Sequence, residues 1–255
     1  MNSGGKLHGA GILITRPARQ AAGLAREIAT LGGKPLIFPA IVILPPDDRR
    51  ALEKAQRELS SYDYAVFVST NAVEYGVGDA AAWPPKLIAV APGPGTAAAL
   101  VAVGVSNVRV PVTTMDSEGL LELPEFQTVA GKRVVIFRGG GGRELLGETL
   151  ASRGASVDHV DCYRRAKPES GAAGLEEALS ERRIDAVTLT TSEGLDNLWD
   201  ILGVEARQRF AAIPAFVPHA RIAEHARRLG ISRPIVTAPA DAGLIAGLLE
   251  YFAAK

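Results

Sequence analysis

The chain has few of the residues that build disulfide scaffolds and metal sites. Its 255 residues include one cysteine, Cys162, and four histidines. No disulfide can therefore form within the chain, and a cysteine-rich zinc site is excluded. The histidines show no HExxH-type spacing, and His219 and His225 are too far apart to share a metal on one helix face. We therefore expect no metal.

Long apolar runs and an excess of one charge are also missing. No apolar run approaches the roughly 18 residues of a membrane span, and Met1 to Ala10 lacks the apolar core of a signal peptide. We therefore expect a cytoplasmic protein. Lys and Arg number 28, as do Asp and Glu, so we expect no basic face for nucleic acid. An anionic ligand would have to be held by local arginines and oriented amides.

The composition is typical of a globular α/β protein of one large or two smaller domains, with 47% hydrophobic and 22% charged residues. Strand-like runs alternate with helix-like runs, which predicts βα units and a mostly parallel sheet. Ala18 to Leu31 has apolar residues at helical spacing and is followed by two glycines. The predicted strands are Gly11–Thr15, Pro35–Leu44, Tyr64–Ser69, Leu87–Ala91, Val108–Val110, Arg133–Phe137, Ser156–Cys162, Ala186–Thr190, Pro214–Val217 and Pro234–Val236.

The two halves of the chain resemble each other in the order of their units. The strand and arginine at 12–16, with the helix that follows, match those at 134–138. Three further pairs follow in the same order: 67–72 with 189–194, 91–97 with 217–223, and 110–121 with 236–245. Because four distinct units recur in one order, we favour a duplication over chance likeness. Two similar α/β domains would leave a cleft between them, where ligands often bind.

The segment from Arg138 to Arg143 is the most informative motif. Its four glycines expose backbone N–H groups between a predicted strand and a predicted helix. Such a segment is a binding site for carboxylates or phosphates. The alternative is a flexible surface turn, and we favour the anion site because arginines flank it. The segment lacks the Lys-Ser/Thr pair of a P-loop, and no acidic residue is placed to bind a ribose. A nucleotide-binding enzyme is therefore disfavoured.

Polar groups follow most of the predicted strands, at the ends that parallel sheets present to a ligand. Helix capping is the alternative for the serine, threonine and asparagine among them. Salt bridges with Glu144 or Glu148 are the alternative for Arg138 and Arg143. The candidate binding residues are Arg16, Ser69, Thr70, Asn71, Gly93, Gly95, Thr96, Arg138, Gly139, Gly140, Arg143, Thr191, Ser192, His219 and Arg221.

Several of these motifs occur in an order that is typical of one family. The most specific is the segment 138–155, which runs on to Cys162-Tyr163-Arg164. Supporting motifs are Ile14-Thr-Arg-Pro17, Leu36-Ile-Phe-Pro39, the segment 67–73 and the segment 93–97. Together they resemble uroporphyrinogen-III synthase over nearly the whole chain. The chain departs from the family pattern at 191–193 and at 218–221, where serine-rich and glycine-threonine turns are usual.

The resemblance implies two similar parallel-sheet domains, flavodoxin-like, joined by two extended strands with a cleft between them. It also implies a crossed assignment of the chain. Residues 1–38 and 167–255 would form domain 1, residues 41–163 domain 2, and residues 39–40 and 164–166 the connections. A domain boundary based on the repeats alone would fall near residues 127–131. The repeats do not decide between that division and the crossed one.

The resemblance implies a lyase that closes hydroxymethylbilane, a linear tetrapyrrole, to uroporphyrinogen III, with inversion of ring D and loss of water. No cofactor is implied. The substrate carries eight carboxylates, which suit arginines and helix-start amides. The enzyme would be a monomer in transient contact with the preceding enzyme of the pathway. The alternative is a non-catalytic two-lobed binding protein for an anionic metabolite.

Tyr163 is the candidate proton donor, or positioner of the leaving hydroxyl. It is expected at the end of a strand with its phenol facing the cleft; the alternative is a tyrosine that bridges core and water. Cys162 alternates with Tyr163 along the predicted strand, so its side chain is expected on the opposite face. His219 is expected either to bind a carboxylate or supply a proton, or to be an exposed residue at a helix start.

Overall fold

The computed structural model describes residues 6–141, 144–169 and 171–254. The chain divides into two compact units, which we call the first unit (Met1–Val42 and Ala166–Lys255) and the second unit (Ile43–Arg165). The chain passes from one unit to the other at residues 42/43 and again at 165/166. The predicted domains are parts of the chain that fold independently, which is a different property from compactness. Their bounds therefore stay a prediction.

The described residues form eleven strands. In chain order they are β1 (Gly11–Ile14), β2 (Lys34–Ile37), β3 (Val42–Leu44), β4 (Tyr64–Phe67), β5 (Ile88–Val90), β6 (Val108–Arg109), β7 (Arg133–Gly139), β8 (Ser156–Ala166), β9 (Ala186–Thr188), β10 (Ala215–Val217) and β11 (Pro234–Val236). Most of them follow the apolar runs of the sequence, because short apolar runs suit strands that are covered on both faces.

Twelve α-helices lie between the strands of the described residues. They are α1 (Ala18–Thr30), α2 (Arg50–Arg57), α3 (Thr70–Gly76), α4 (Pro94–Ala102), α5 (Ser117–Leu121), α6 (Pro124–Gln127), α7 (Leu145–Ser152), α8 (Ala173–Ser180), α9 (Ser192–Ile201), α10 (Val204–Ala211), α11 (Ala220–Arg228) and α12 (Ala240–Ala253). Within the described part of the chain, none of these helices is long and apolar enough to cross a membrane.

The strands form two sheets with matching order. The first unit holds β11-β10-β9-β1-β2 and the second holds β3-β8-β7-β4-β5-β6. Apart from β3, the two orders correspond if β1 is matched with β7 and β9 with β4. The neighbours from β11 to β2 and from β8 to β6 run parallel. The predicted α/β class with two parallel sheets is therefore confirmed.

Both faces of each sheet are buried under helices. In β1, Ile12 and Ile14 pack into one apolar cluster and Leu13 into another. In β4, Val66 and Phe67 divide in the same way between two clusters of the second unit. This alternation explains why the strands are apolar without interruption. Because the strands themselves are apolar, polar side chains are found at the carboxyl ends of the strands.

One predicted strand is wrong. The run from Pro35 to Leu44 forms two strands in different sheets, β2 and β3, with residues 38–41 between them. Phe38 and Ala40 donate their N–H groups to Ile14 and Thr15, at 3.0 and 2.9 Å, and so still follow β1. Pro39 between them has no N–H to donate. The apolar pattern runs through this break because both strands are buried in part, and the pattern alone does not mark the change of sheet.

Candidate functional site

A cavity of about 190 Å³ lies at the carboxyl ends of β7 and β8 in the second unit. Its walls include Arg138, Gly139, Gly140 and Tyr163, all predicted from the sequence. Ser117 and Arg165 also line it and were not predicted as contacts. Ser117 lies in the repeated segment 110–121, but the repeat assigned it no role in binding. The glycine-rich segment and the tyrosine are therefore brought together in space. Arg143 is outside the described residues.

Tyr163 is buried, with 2% of its surface exposed, and its hydroxyl lies 3.2 Å from Oγ of Ser69. Ser69 precedes α3, and its Oγ also accepts a hydrogen bond from the N–H of Ala72 at 3.1 Å. β4, which ends just before Ser69, lies beside β7. The ends of β4 and β8, on either side of β7, thus place a serine and a tyrosine hydroxyl in contact. Tyr163 does not end its strand, because β8 continues to Ala166.

Gly139 lies against the ring of Tyr163. A Cβ atom at Gly139 would be 2.6 Å from Cε2 and Cζ of that ring, closer than real Cβ contacts allow. Gly140 donates its N–H to the Tyr163 carbonyl at 3.2 Å. The end of β7 therefore packs closely on Tyr163, and this packing requires a glycine at position 139.

The expectation that Cys162 faces away from Tyr163 is wrong. Arg138 pairs with Asp161 and Gly139 pairs with Tyr163, so β8 carries an extra residue, Cys162, at this point. Such a bulge interrupts the alternation of side chains. Cys162 and Tyr163 consequently pack in the same apolar cluster. Cys162 is fully buried, and burial raises the pKa of its thiol to about 12, which makes it unreactive.

Arg138 is held by two carboxylates of its own unit. Its Nε lies 3.1 Å from Asp161 and its NH1 2.8 Å from Glu144. Burial of the guanidinium disfavours its charge, but the hydrogen bonds that it donates to Glu144 and Asp161 outweigh burial and raise the Arg138 pKa. Glu144 was foreseen as a partner, whereas Asp161 was missed. Asp161 is the cross-strand partner of Arg138, so a correct alignment of β7 with β8 would have indicated it.

The remaining candidates of the second unit lie at the starts of α3 and α4. Thr70 is exposed and Asn71 half-buried at the start of α3. Gly93 precedes α4, and a Cβ at Gly93 would be 3.1 Å from Sδ of Met115. Gly95 is exposed, while Thr96 is buried, with 7% of its surface exposed. These residues follow β4 and β5, which are neighbours in the sheet.

In the first unit, Arg16 follows β1 and is paired with Asp241. Their NH2 and Oδ1 atoms are 2.6 Å apart, and the Arg16 side chain is 15% exposed. Its Nε is buried and has no hydrogen-bond partner among the described residues. Asp241 lies in the first turn of α12, after Ala240, whose φ is +64°. Asp241 was not among the predicted residues, since a partner 225 residues away gives no local signal.

The other candidates of the first unit follow β9 and β10, the strands next to β1. Thr191 caps α9 by accepting the N–H of Gly194 at 3.0 Å, which is the capping alternative considered for it. Ser192 is half-buried in the first turn of that helix. His219 and Arg221 are exposed at the start of α11, and His219 makes no capping bond. Arg16, Thr191 and His219 thus lie on three adjacent strand ends.

Metal binding finds no support in the part of the chain that the structure describes. Within those residues, no group of three His, Cys, Asp or Glu side chains is placed to hold a metal ion. The site in the second unit instead combines backbone amides, guanidinium groups and two hydroxyls. These groups bind anionic and hydroxyl-bearing molecules.

Known proteins match the chain over most of its length. A family model described as Uroporphyrinogen-III synthase HemD matches residues 22–246. The uroporphyrinogen-III synthase of Salmonella typhimurium is 37% identical over 229 residues, which cover 86% of this chain and 91% of that protein. That of Escherichia coli is 35% identical over 228 residues, with the same coverage.

Solved structures show the same fold. A crystal structure of a mutant uroporphyrinogen III synthase from the extremely thermophilic bacterium Thermus thermophilus covers 96% of this chain and 100% of its own, with a TM-score of 0.59 and 20% identity. The enzyme from Helicobacter pylori covers 95% of this chain and 99% of its own, with a TM-score of 0.57 and 13% identity. Since the family model spans most of the sequence and two relatives share more than a third of the aligned residues, the chain belongs to the uroporphyrinogen-III synthase family, a family of lyases.

Proposed function

We propose that this chain closes hydroxymethylbilane to uroporphyrinogen III, with inversion of ring D and loss of water. The observation that carries the proposal is the family match over residues 22–246. The relatives are named as enzymes, which favours catalysis over a non-catalytic binding protein. The substrate closes to isomer I without an enzyme, so the protein has to hold one geometry in which ring D inverts.

Tyr163 is the proposed catalytic residue. The residue lines the cavity, and its ring is held by Gly139 on one side. A phenol placed against the departing hydroxyl can donate the proton with which water leaves. General acids of this kind contribute about 10²–10⁴-fold to a rate. Because an ordinary phenol is a weak acid near neutral pH, positioning of the hydroxyl is the larger part of the proposed role.

The substrate carboxylates are proposed to bind at the strand ends of both units. In the second unit the positive charge of Arg138 is offered to a carboxylate, and Gly139 and Gly140 beside it let the ligand approach the backbone closely. Both partners of Arg138 are about half-exposed, Glu144 at 52% and Asp161 at 50%, and a substrate carboxylate can replace either. The other proposed contacts are Arg16, Thr70, Asn71, Gly93, Gly95, Thr96, Arg143, Thr191, Ser192, His219 and Arg221.

Three expectations about the cellular context stay predictions. They are a cytoplasmic location, a monomeric state and a transient contact with the preceding enzyme of the pathway. The absence of a helix that could cross a membrane, in the described residues, agrees with an enzyme that acts on a small polar molecule.

An isomer assay tests the proposed function. The purified protein is given freshly generated hydroxymethylbilane, and the products are oxidised and separated as isomers I and III. We expect isomer III in excess, because the enzyme closes the ring faster than the uncatalysed reaction. Heat-denatured protein, as the control, should yield isomer I. If the native protein also yields isomer I alone, the proposed function is wrong.

A further inference from the structure

The hydroxyl of Ser69 links the start of α3 to the phenol of Tyr163. Its Oγ accepts the N–H of Ala72 at 3.1 Å and lies 3.2 Å from the Tyr163 hydroxyl. The backbone of Ser69 is extended, with φ −165° and ψ 169°, as is usual for the residue that caps a helix. Ser69 therefore has two partners at once, and one of them is the proposed catalytic residue.

Ser69 can influence a molecule in the cavity through Tyr163. Of the residues that the structure describes, Val68 and Tyr163 line this cavity and Ser69 does not. Ser69 thus contacts a residue of the cavity wall without lining the cavity itself. This arrangement suits a residue that orients another one rather than a residue that binds the ligand itself.

The ring of Tyr163 has little freedom of its own. Gly139 packs directly on it, and the ring of Tyr75 lies with its centroid 6.3 Å away. Rotation of the hydroxyl hydrogen about the C–O bond is the freedom that remains, because hydroxyl hydrogens turn toward whichever acceptor is near. The neighbouring hydroxyl of Ser69, 3.2 Å away, is one group with which this hydrogen can interact.

Two arrangements of the hydrogens are possible between Ser69 and Tyr163. If Tyr163 donates to Ser69, its proton is turned away from the cavity. If Ser69 donates to Tyr163, the phenol proton is left for a group in the cavity. The N–H of Ala72 already donates to Oγ of Ser69, and linked hydrogen bonds strengthen one another. The second arrangement is therefore favoured.

We propose that Ser69 is a positioning residue that donates its hydrogen to the phenolic oxygen of Tyr163 and so directs the phenol proton into the cavity. This inference rests on the proposed function. There the Tyr163 O–H bond breaks, an O–H bond forms on the departing hydroxyl, its C–O bond breaks and water leaves. Ser69 stabilises the phenolate that remains, and the phenolate regains a proton when the closing pyrrole loses one from carbon.

A double-mutant cycle tests the role of Ser69. The full-length wild type, Ser69→Ala, Tyr163→Phe and the double variant are compared for kcat and KM of isomer III formation. We expect Ser69→Ala to lower kcat roughly fivefold, as for the loss of one hydrogen bond, with KM unchanged. In the Tyr163→Phe background the same substitution should cause no further loss, since Ser69 acts through the phenol.

Two controls separate this role from helix capping. Ser69→Thr keeps both the cap and the hydroxyl, so it should restore kcat to within about twofold of wild type, because threonine caps nearly as well as serine. Thermal unfolding of Ser69→Ala measures how much stability the lost cap removes. The Ser69→Ala variant is then assayed at a temperature at which it is fully folded. A fall in kcat under that condition supports the proposal.

Three results would overturn it. They are wild-type kcat for Ser69→Ala, an equal fall in kcat in both backgrounds, and wild-type kcat for Tyr163→Phe. In each of these cases the continued formation of isomer III leaves the proposed function intact. Formation of isomer I alone by the wild type rejects the proposed function and this inference together.

Discussion

At Gly139, the lack of a side chain allows the end of β7 to contact the ring of Tyr163. The same strand carries Arg138, whose guanidinium is fixed by Asp161 and Glu144. One short segment thus packs against the phenol ring of Tyr163 and also carries the positively charged side chain of Arg138. The contact leaves no room for a side chain, because one added methyl group at Gly139 would overlap the ring of Tyr163.

Replacement of Gly139 tests this contact. We expect Gly139→Ala to lower the free energy of unfolding by about 1–3 kcal/mol, as other overpacked sites do, and to lower kcat because the ring of Tyr163 must move. Gly140→Ala is the matched control for stability. A Cβ at Gly140 meets nothing within 4 Å and its φ is not positive. Urea unfolding of both variants measures the difference, and equal stabilities would contradict the packing described here.

Among the elements, β4, β7 and β8 place the site through their order and register. β7 lies between β4 and β8, so Ser69, Arg138 and Tyr163 meet at one edge of the sheet. The bulge at Cys162 shifts the register by one residue and turns Tyr163 into the cluster that Cys162 also occupies. At the opposite edge, Asp63 joins β4 to β7. Its carboxylate accepts the N–H of Arg133 at 2.9 Å and contacts Lys132 at 2.9 Å.

The lowered pKa of Asp63 indicates how the stability of this sheet depends on pH. Burial of the carboxyl opposes ionisation, but the bonds from Arg133 and Lys132 outweigh it and lower the Asp63 pKa. A carboxyl with a lowered pKa in the folded state stabilises the fold above its unfolded pKa of about 4. That contribution is lost as the pH falls through the folded value.

The measurement compares wild type with Asp63→Asn by urea unfolding at several pH values. The wild type should be more stable near pH 7, and the difference in free energy of unfolding should shrink as the pH falls below about 4. A difference that stays constant down to the lowest pH at which the protein folds would show that the Asp63 charge does not contribute.

For the molecule as a whole, each unit has its own cores. Two apolar clusters consist of residues from the first unit alone, and two consist of residues from the second unit alone. The second unit is a continuous stretch of chain, whereas the first is made of two stretches. Apolar burial on both faces of a six-stranded sheet is sufficient, in many proteins, for independent folding.

We therefore expect a fragment of residues 43–165 to fold by itself. It should unfold cooperatively in urea and show helix and strand signals in circular dichroism, because its clusters need no residue from elsewhere in the chain. A fragment of residues 1–130 is the matched control, since it separates β4 from its neighbour β7 and should not unfold cooperatively. A 43–165 fragment without a cooperative transition would contradict the predicted domain organisation.

Most of what is local could be predicted from the amino-acid order. Apolar runs located the strands, and glycines and hydroxyl residues marked the positions near their carboxyl ends where Ser69, Arg138 and Tyr163 lie. The spacing of these motifs also indicated the family. Local patterns carry this information because strand formation, turns and caps depend on residues a few positions apart.

The contacts that complete the site depend on residues far apart in the chain. The pairing of β1 with β9, the bond between Arg16 and Asp241 and the alignment of Arg138 with Asp161 each join distant segments. The bulge at Cys162 arises from the pairing of β7 with β8, and the break at residues 38–41 from a change of sheet. Such features are stabilised by packing and hydrogen bonds that exist once the sheets have formed, so no local pattern in the sequence records them.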